Sequence, residues 1–166
     1  MMIETERLYI KKSTLDKAAE LAALITEKIA FWTSPVPWPY SLDDAKWWLE
    51  NMPEGSMNLF LKSTDVMIGA FHLAQQDGES IGFYINEQWE GHGYITEAGK
   101  AAIHHIFMVQ NLTHIVSSAH IDNPASIRVH EKLGFTKTGE EKRFWPNKNT
   151  DIPVVTFRLN KSAWQT

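Results

Sequence analysis

The stretch from Tyr94 to Val109 constrains the fold more strongly than any other part of the sequence. Its spacing is helical, but apolar side chains lie nearly all round the helix instead of along one stripe. They are Ile95, Ala98, Ala101, Ala102, Ile103, Ile106, Phe107 and Val109. A helix of this kind must be covered by other elements on most of its surface. We therefore expect a central helix enclosed by strands or further helices.

Shorter patterns on both sides predict the elements around this helix. Alternation predicts a strand at 6–10, and helical spacing predicts a helix at 15–29. A second helix begins near Ser41, because Asp44 follows it at the spacing of a capping box, and ends near Pro53. The remaining patterns predict strands at 58–62, 66–74, 80–86 and 112–121, a short helix at 124–133, and strands near 135–138 and 154–159. This order of elements predicts an α/β layered fold with one mixed sheet.

Composition excludes several classes of protein. The 166 residues include no cysteine, so a disulfide framework and a cysteine-ligated metal site are both impossible. The net charge of -4 leaves no basic surface of the kind that nucleic-acid-binding proteins need. No run of about 18 apolar residues indicates a membrane span, and the first residues lack the apolar core of a signal peptide. The sequence therefore predicts a single cytoplasmic domain at 1–166, without nucleic acid or membrane partners.

A predicted strand runs into a glycine-containing turn and then into the central helix, in the sequence SIGFYINEQWEGHGYITEA. Gly91 and Gly93 allow the backbone to approach a ligand closely, and the first turn of the helix presents unpaired N–H groups. Such a helix N-terminus holds phosphate without net positive charge. The dinucleotide pattern G-x-G-x-x-G fails at Thr96, and the Walker pattern finds no match. The segment is as compatible with a tight turn as with an anion site.

A second segment, IDNPASIRVHEKLGF, places polar groups on one face of a short helix. Helix capping by Asn123 and termination at Gly134 explain its ends. Capping does not explain why Asn123, Ser126 and His130 follow one another at spacings of three and four, which aligns their side chains. This alignment favours a ligand at the start of the helix.

Together the two segments resemble a known family. Residues 88–93, Q-W-E-G-H-G, resemble the acyl-CoA pyrophosphate loop Q/R-x-x-G-x-G/A of the GCN5-related N-acetyltransferase (GNAT) superfamily. The string G-x-G-Y-x-T-E-A and the downstream N-x-x-S-x-x-V-x-E-K-L-G-F are similar to its RimJ/RimL-like ribosomal-protein branch. The earlier segments ETERLYIKKST and PWPYSLDDAKWWL also resemble that branch, so the resemblance extends over most of the chain.

The resemblance implies a GNAT fold, in which a mixed, mostly antiparallel sheet of about six to seven strands splays to admit acetyl-CoA and packs with about four helices. It implies a metal-free N-acetyltransferase that moves the acetyl group by direct attack of a primary amine. That amine is either a protein N-terminal α-amine or a small-molecule amine. The alternative is a catalytically drifted module that binds or senses acyl-CoA. A monomer or a homodimer is expected.

The resemblance also implies which residues bind acetyl-CoA. The backbone of residues 83–85 would pair with the pantetheine arm, and the amides of residues 91–95 would hold the pyrophosphate. Asn123 would bond the pantetheine, and Ser126 would lie near the thioester sulfur. The full implied set is Phe83, Tyr84, Ile85, Gln88, Gly91, His92, Gly93, Tyr94, Ile95, Thr96, Asn123 and Ser126. His92 departs from the Arg or Lys common in the family, which implies weaker or pH-dependent affinity for CoA.

Catalytic candidates follow from the same comparison. Ser126 and His130 are candidates to protonate the leaving thiolate, since an imidazole with a pKa of ~6.5 suits general acid catalysis. Candidates for the base are His72, Glu79 and His120, each of which also fits a structural or surface role. An α-amine, with a pKa of about 7.7–8.0, needs less help from a base than a lysine at about 10.4.

The chain contains seven tryptophans, and four of them fall within 32–48. Packing in the core accounts for most of these aromatic residues. The resemblance places Trp32, Trp38 and Tyr40 beside the acceptor side of the cleft, where prolines stiffen the chain. We therefore expect a pocket for an apolar or flat acceptor.

Overall fold

The computed structural model describes residues 1–33 and 35–164. Within them the chain forms eight strands and five α-helices. The strands are Met2–Glu4 (β1), Leu8–Lys11 (β2), Ser56–Leu61 (β3), Met67–His72 (β4), Gly82–Ile85 (β5), His114–His120 (β6), Thr136–Trp145 (β7) and Thr150–Asn160 (β8). The helices are Ala18–Leu24 (α1), Glu27–Trp32 (α2), Leu42–Asn51 (α3), Tyr94–Met108 (α4) and Pro124–Lys132 (α5).

The strands form two antiparallel sheets that separate between β5 and β6. The first has the order β1-β2-β3-β4-β5 and the second the order β6-β8-β7. A parallel bridge between Ser80 and Val116 joins the sheets at one end, where the Ile81 N–H donates to the Val116 carbonyl oxygen at 3.0 Å. Beyond this bridge β5 has no partner strand on the side of β6 within the described residues. The predicted splayed sheet is confirmed, and the gap forms a cleft.

One face of helix α4 is buried, whereas Lys100, His104, Met108 and Val109 are exposed, so the helix is covered less completely than its nearly all-round apolar pattern predicted. Its inward residues belong to a core cluster that includes side chains from both sheets, among them Leu59 and Phe157. A Cβ atom on Gly99 would lie 2.7 Å from the Leu133 side chain, so the glycine lets this leucine pack directly against α4. The close contact of α4 and α5 positions the start of each helix at the cleft.

Helices α1 to α3 build a second core cluster on the other face of the first sheet. The prediction of one helix at 15–29 was wrong, because Ile25 is extended, with ψ of 118°, and the Thr26 hydroxyl caps a new helix by accepting from the Ile29 N–H. The predicted capping box of α3 is confirmed. The Ser41 N–H donates to Asp44 at 2.8 Å, and the Asp44 N–H donates to the Ser41 hydroxyl at 3.0 Å.

The second sheet is larger than the sequence predicted. Strands β7 and β8 continue well beyond 135–138 and 154–159 and form a long hairpin. Most of β7 is exposed, so its polar sequence carries no apolar alternation to mark it as a strand. The three-residue strand β1 was also missed, which raises the total from the expected six or seven strands to eight. None of the described helices is both long enough and apolar enough to cross a membrane.

Candidate active site

A cleft of about 630 Å³ lies where the two sheets diverge. Its walls come from β5, from the glycine turn and the first residues of α4, from the end of β6 and from the start of α5. From the set implied for acetyl-CoA binding, the cleft wall contains Phe83, Tyr84, Ile85, Gly91, Gly93, Tyr94, Ile95, Thr96, Asn123 and Ser126. Segments distant in the sequence are thus assembled into one groove. The contacts of these residues with a cofactor stay predictions.

The glycine turn has the conformation that its sequence favours. Gly91 and Gly93 have φ angles of 77° and 79°, in the left-handed region that disfavours side chains. Gly93 is the N-cap of α4, and its carbonyl oxygen accepts the first intrahelical bond, from the Glu97 N–H at 3.0 Å. The amides of the first turn therefore have no partner within the helix. Unpaired amides of this kind at a helix N-terminus favour an anion.

Gln88 and His92 lie outside the cleft wall. The Gln88 N–H donates to the Asn86 side chain at 2.9 Å within a short turn. The His92 Nδ1 lies 2.8 Å from the Glu90 carbonyl oxygen, and its ring stacks on Tyr94 with centroids 5.7 Å apart. Since a carbonyl oxygen only accepts, Nδ1 carries a proton. His92 thus stabilises the turn from its outer side.

An ionic contact that sequence reasoning missed anchors this turn. Arg7 Nε donates to Glu97 Oε2 at 2.7 Å, and Arg7 Nη2 donates to the His92 carbonyl oxygen at 3.0 Å. The Thr5 hydroxyl adds a bond to Glu97 Oε1 at 2.7 Å. Partial burial raises the pKa of Glu97, but the hydrogen bonds from Thr5 and Arg7 outweigh it and hold that pKa below its usual value. The family resemblance of the segment ETERL, which contains Thr5 and Arg7, was the one sequence feature related to this contact.

His130 is buried on the inner wall, and its two ring nitrogens are both engaged. Nδ1 lies 2.7 Å from the Ser126 carbonyl oxygen, so it carries the proton. Nε2 lies 2.6 Å from the Ser117 hydroxyl and accepts from it. Burial lowers the pKa of His130 to about 4. Neutral His130 has its single N–H committed, so it has no proton to give directly to a thiolate.

Ser126 is the other candidate at this end of the cleft. It is half-buried on the wall, and its N–H donates to the Asn123 side chain at 3.3 Å, which is the predicted cap of α5. Its hydroxyl forms no hydrogen bond with any residue in 1–33 or 35–164. This hydroxyl is therefore available to a ligand.

The structure does not bring His72 and Glu79 to the cleft. They face each other at 3.6 Å, and Glu79 also accepts the N–H of Gln76 at 3.2 Å, which stabilises the turn before β5. Among the described residues no group of His, Asp or Glu side chains is arranged to hold a metal ion. Two of the three base candidates thus have structural partners elsewhere.

His120 does lie on the cleft wall, edge-on to Trp32 with centroids 5.1 Å apart. Burial lowers its pKa, and the nearby Lys148 lowers it further. The Asp122 N–H donates to His120 Nδ1 at 3.0 Å, so the proton of the neutral ring is on Nε2. In this tautomer the imidazole offers a hydrogen-bond donor, and the nitrogen able to take a proton is already occupied.

Of the three aromatic residues expected beside the acceptor, only one lies on the cleft wall. Trp32 lines the cleft, whereas Trp38 is 47% exposed and lies off its wall. Tyr40 packs against the α1–α3 core, where burial raises its pKa to about 12. Trp145, at the end of β7, lines the cleft instead. Only the long β7–β8 hairpin brings it there, held by Asn147, whose side chain donates to the Ala30 carbonyl oxygen at 2.8 Å.

Comparison with known proteins agrees with this geometry. Residues 7–136 match the family described as acetyltransferase (GNAT) domain. The N-acetyltransferase YnaD of Bacillus subtilis, described as uncharacterized, is 28% identical over 109 residues, which span 64% of this chain and 64% of YnaD. The chain belongs to the GNAT acetyltransferase family.

Solved structures share the fold over nearly the whole chain. A GNAT-family acetyltransferase from Bacillus anthracis superposes with a TM-score of 0.85 at 22% identity, covering 98% of this chain and 99% of that one. The ribosomal-protein-S5-alanine acetyltransferase of Vibrio fischeri gives 0.83 at 18% identity and covers 100% of both chains. At these identities the likeness concerns the fold, and the expected GNAT fold is confirmed.

Proposed function

We propose that this protein, as a single domain, moves an acetyl group from acetyl-CoA to a primary amine by direct attack on the thioester. The observation that carries this proposal is the continuity of the cleft. It begins at the Gly91–Gly93 turn, follows the free edge of β5 and reaches Asn123 and Ser126 at the start of α5. Acetyl-CoA has a pyrophosphate, two amides and a thioester in this same order.

The pyrophosphate end fits an anion in two ways. A Cβ atom built on Gly91 would meet no atom within 4 Å, so the turn leaves open space for phosphate oxygens. The unpaired amides at the start of α4 and the helix dipole favour negative charge there. Arg7, which is ion-paired with Glu97, holds the turn in place by donating to the His92 carbonyl oxygen. An acidic protein can therefore bind a polyanion.

The pantetheine arm fits the exposed edge of β5. Strand β5 pairs with β4 on one side, and its other side faces the cleft. Unpaired backbone groups at a sheet edge bind an extended chain by adding it as a strand. The amides of pantetheine would pair with residues 83–85 in this manner. Ser126 would then donate a hydrogen bond to the sulfur as it becomes a thiolate.

An α-amine is the acceptor that this site favours. A lysine ε-amine requires roughly 2.5 pKa units more, or ~3.4 kcal/mol, to become neutral at the same pH. Burial lowers the pKa of both His120 and His130, so neither is a strong base. Similarity to a fold neighbour described as a ribosomal-protein acetyltransferase supports a protein N-terminus as the acceptor. Trp32 and Trp145 would flank its first side chain.

Release of free CoA thiol from acetyl-CoA tests the proposal. We expect thiol release to depend on the acceptor. Release should be much faster with peptides that have a free N-terminal α-amine than with the same peptides acetylated at the α-amine and carrying one free lysine. Calorimetry with acetyl-CoA in parallel measures binding. Micromolar binding without release across a broad panel of peptides and small amines would instead favour a sensing module that has lost catalysis.

A further inference from the structure

A serine and a histidine form a buried pair on the wall of the cleft, and Ser117 has no role in the family resemblance or in the proposed function. Ser117 lies on β6 and is 4% exposed, and His130 lies on α5 and is 1% exposed. The Ser117 Oγ and His130 Nε2 are 2.6 Å apart. Both residues belong to the lining of the cleft.

The hydrogen-bond directions of this pair are determined by its third member. The Ser126 carbonyl oxygen, 2.7 Å from His130 Nδ1, accepts and cannot donate. The Nδ1 proton therefore points to Ser126, and Nε2 is left as the acceptor of the Ser117 hydroxyl proton. A hydroxyl, a base and a group that orients the base are the parts of an activated serine.

The packing around His130 holds its ring in one orientation. The imidazole stacks on Phe157 with centroids 4.5 Å apart and an interplanar angle of 3°. Phe135 meets it edge-on at 5.4 Å, and Phe83 contacts it at 5.2 Å. Three aromatic neighbours exclude water from the ring and prevent its rotation. Nε2 therefore stays directed at Ser117.

We propose that Ser117 and His130 carry the proton from the attacking amine to the leaving sulfur. This inference rests on the proposed acetyl transfer. When the amine nitrogen bonds to the thioester carbon, it becomes positively charged. One of its protons passes to Ser117 Oγ while the Ser117 proton passes to His130 Nε2. When the carbon–sulfur bond breaks, the same two transfers reverse, and the sulfur receives the proton.

This sequence balances without a further reactant. One N–H bond is lost, one S–H bond is formed, and the serine and the histidine return to their starting states. Nitrogen and sulfur are bound to the same carbon in the intermediate, so one hydroxyl can serve both in turn. The pKa of His130, which burial lowers to about 4, keeps the imidazole neutral at pH 7, so Nε2 carries no proton when the amine attacks.

Paired substitutions test the relay. General acid–base catalysis raises reaction rates by about 10²- to 10⁴-fold, so we expect Ser117→Ala to lower kcat about 100-fold or more. The dissociation constant of acetyl-CoA should stay within about threefold of the wild-type value. His130→Gln, which keeps an acceptor but cannot take a proton, should lower kcat similarly. The double variant should be no worse than either single variant, because the two residues act as one unit. Ser117→Thr, which keeps the hydroxyl, should restore most of the rate.

Ser56→Ala is the matched control, since it removes the hydroxyl of another buried serine that contacts a histidine, His72 at 3.3 Å, away from the cleft. Its kcat should stay within about threefold of wild type. A folded Ser117→Ala protein with a kcat within threefold of the wild-type value would overturn the relay. So would a double variant whose loss in log kcat is the sum of the two single losses. Nitrogen NMR of His130 in the free protein gives a readout without catalysis, in which a protonated Nε2 at pH 7 refutes the assignment. If the wild type releases no thiol with any acceptor, the acetyl-transfer proposal itself fails.

Discussion

Glu97→Gln should weaken acetyl-CoA binding although Glu97 lies outside the cleft wall. The Glu97 carboxylate accepts the Thr5 hydroxyl at 2.7 Å, the Arg7 N–H at 2.9 Å and Arg7 Nε at 2.7 Å. Arg7 in turn holds the His92 carbonyl oxygen between the two glycines. The substitution therefore loosens the turn that we propose holds the pyrophosphate, while it keeps the size of the side chain.

The expected loss follows from these contacts. In Glu97→Gln one oxygen remains for two of the donors, but the amide N–H₂ group meets Arg7 Nε, so one charge-assisted bond is lost and two donors face each other. Hydrogen bonds to a charged group contribute about 1.5–3 kcal/mol. Arg7 is more than a third exposed, so solvent screening reduces the cost to about 1–2 kcal/mol. If the whole loss falls on the turn, affinity falls about 5- to 30-fold.

Calorimetric titration with acetyl-CoA measures this change, with thermal unfolding as a second readout. The control is Glu140→Gln, which breaks the exposed 3.0 Å pair between Lys137 and Glu140 on β7 and should leave the affinity unchanged. An unchanged dissociation constant for Glu97→Gln would refute the argument that this ion pair positions the turn. A lower melting temperature alone would assign the pair a purely structural role.

The same contact has a pH dependence with a definite sign. Folding lowers the pKa of Glu97 below its value in the unfolded chain. The stabilisation is therefore present above the unfolded pKa of about 4.3 and is lost as the pH falls through the lower, folded pKa. Thermal unfolding between pH 6 and pH 3 should show this loss in the wild type and a smaller one in Glu97→Gln. Equal pH dependence in both proteins would contradict it.

Three further substitutions test other parts of the site. Gly93→Val should abolish measurable acetyl-CoA binding in calorimetry, because valine strains a φ of 79° at the N-cap of α4. Gly91→Ala, where a Cβ would meet no atom within 4 Å, should bind acetyl-CoA more tightly than Gly93→Val. Ser126→Ala should lower kcat about tenfold with unchanged acetyl-CoA affinity, since it loses one hydrogen bond to a developing thiolate, and equal turnover would remove Ser126 from the mechanism. Trp32→Ala should raise the KM of the acceptor but not that of acetyl-CoA. Trp38→Ala, which changes a residue off the cleft wall, should change neither KM. If only Trp38→Ala raised the KM of the acceptor, the sequence-based expectation for Trp38 would hold instead.

Sequence patterns were most informative where the signal is local. The helical period of residues 94–109, the capping box at Ser41 and the Asn123 cap each concern residues within a few positions of one another. Such patterns predicted α4, α3 and α5 nearly to their ends. They failed at Ile25 and Thr26, where a side-chain cap overrides helical spacing, and along β7, where exposure on both sides leaves no period to detect.

The family resemblance and the glycine turn predicted the cofactor end of the proposed site, since backbone conformation and helix ends depend on the local sequence. The tertiary structure decided the rest. Arg7 meets Glu97 across 90 positions, Ser117 meets His130 across two elements, and Trp145 replaces Trp38 on the cleft wall. Residue spacing reports neighbours along one helix or strand, whereas these pairs depend on how separate elements pack. The proton on each imidazole is placed by a local partner, Ser126 on the helix of His130 and Asp122 next to the strand of His120, whereas the burial that lowers both pKa values comes from other segments.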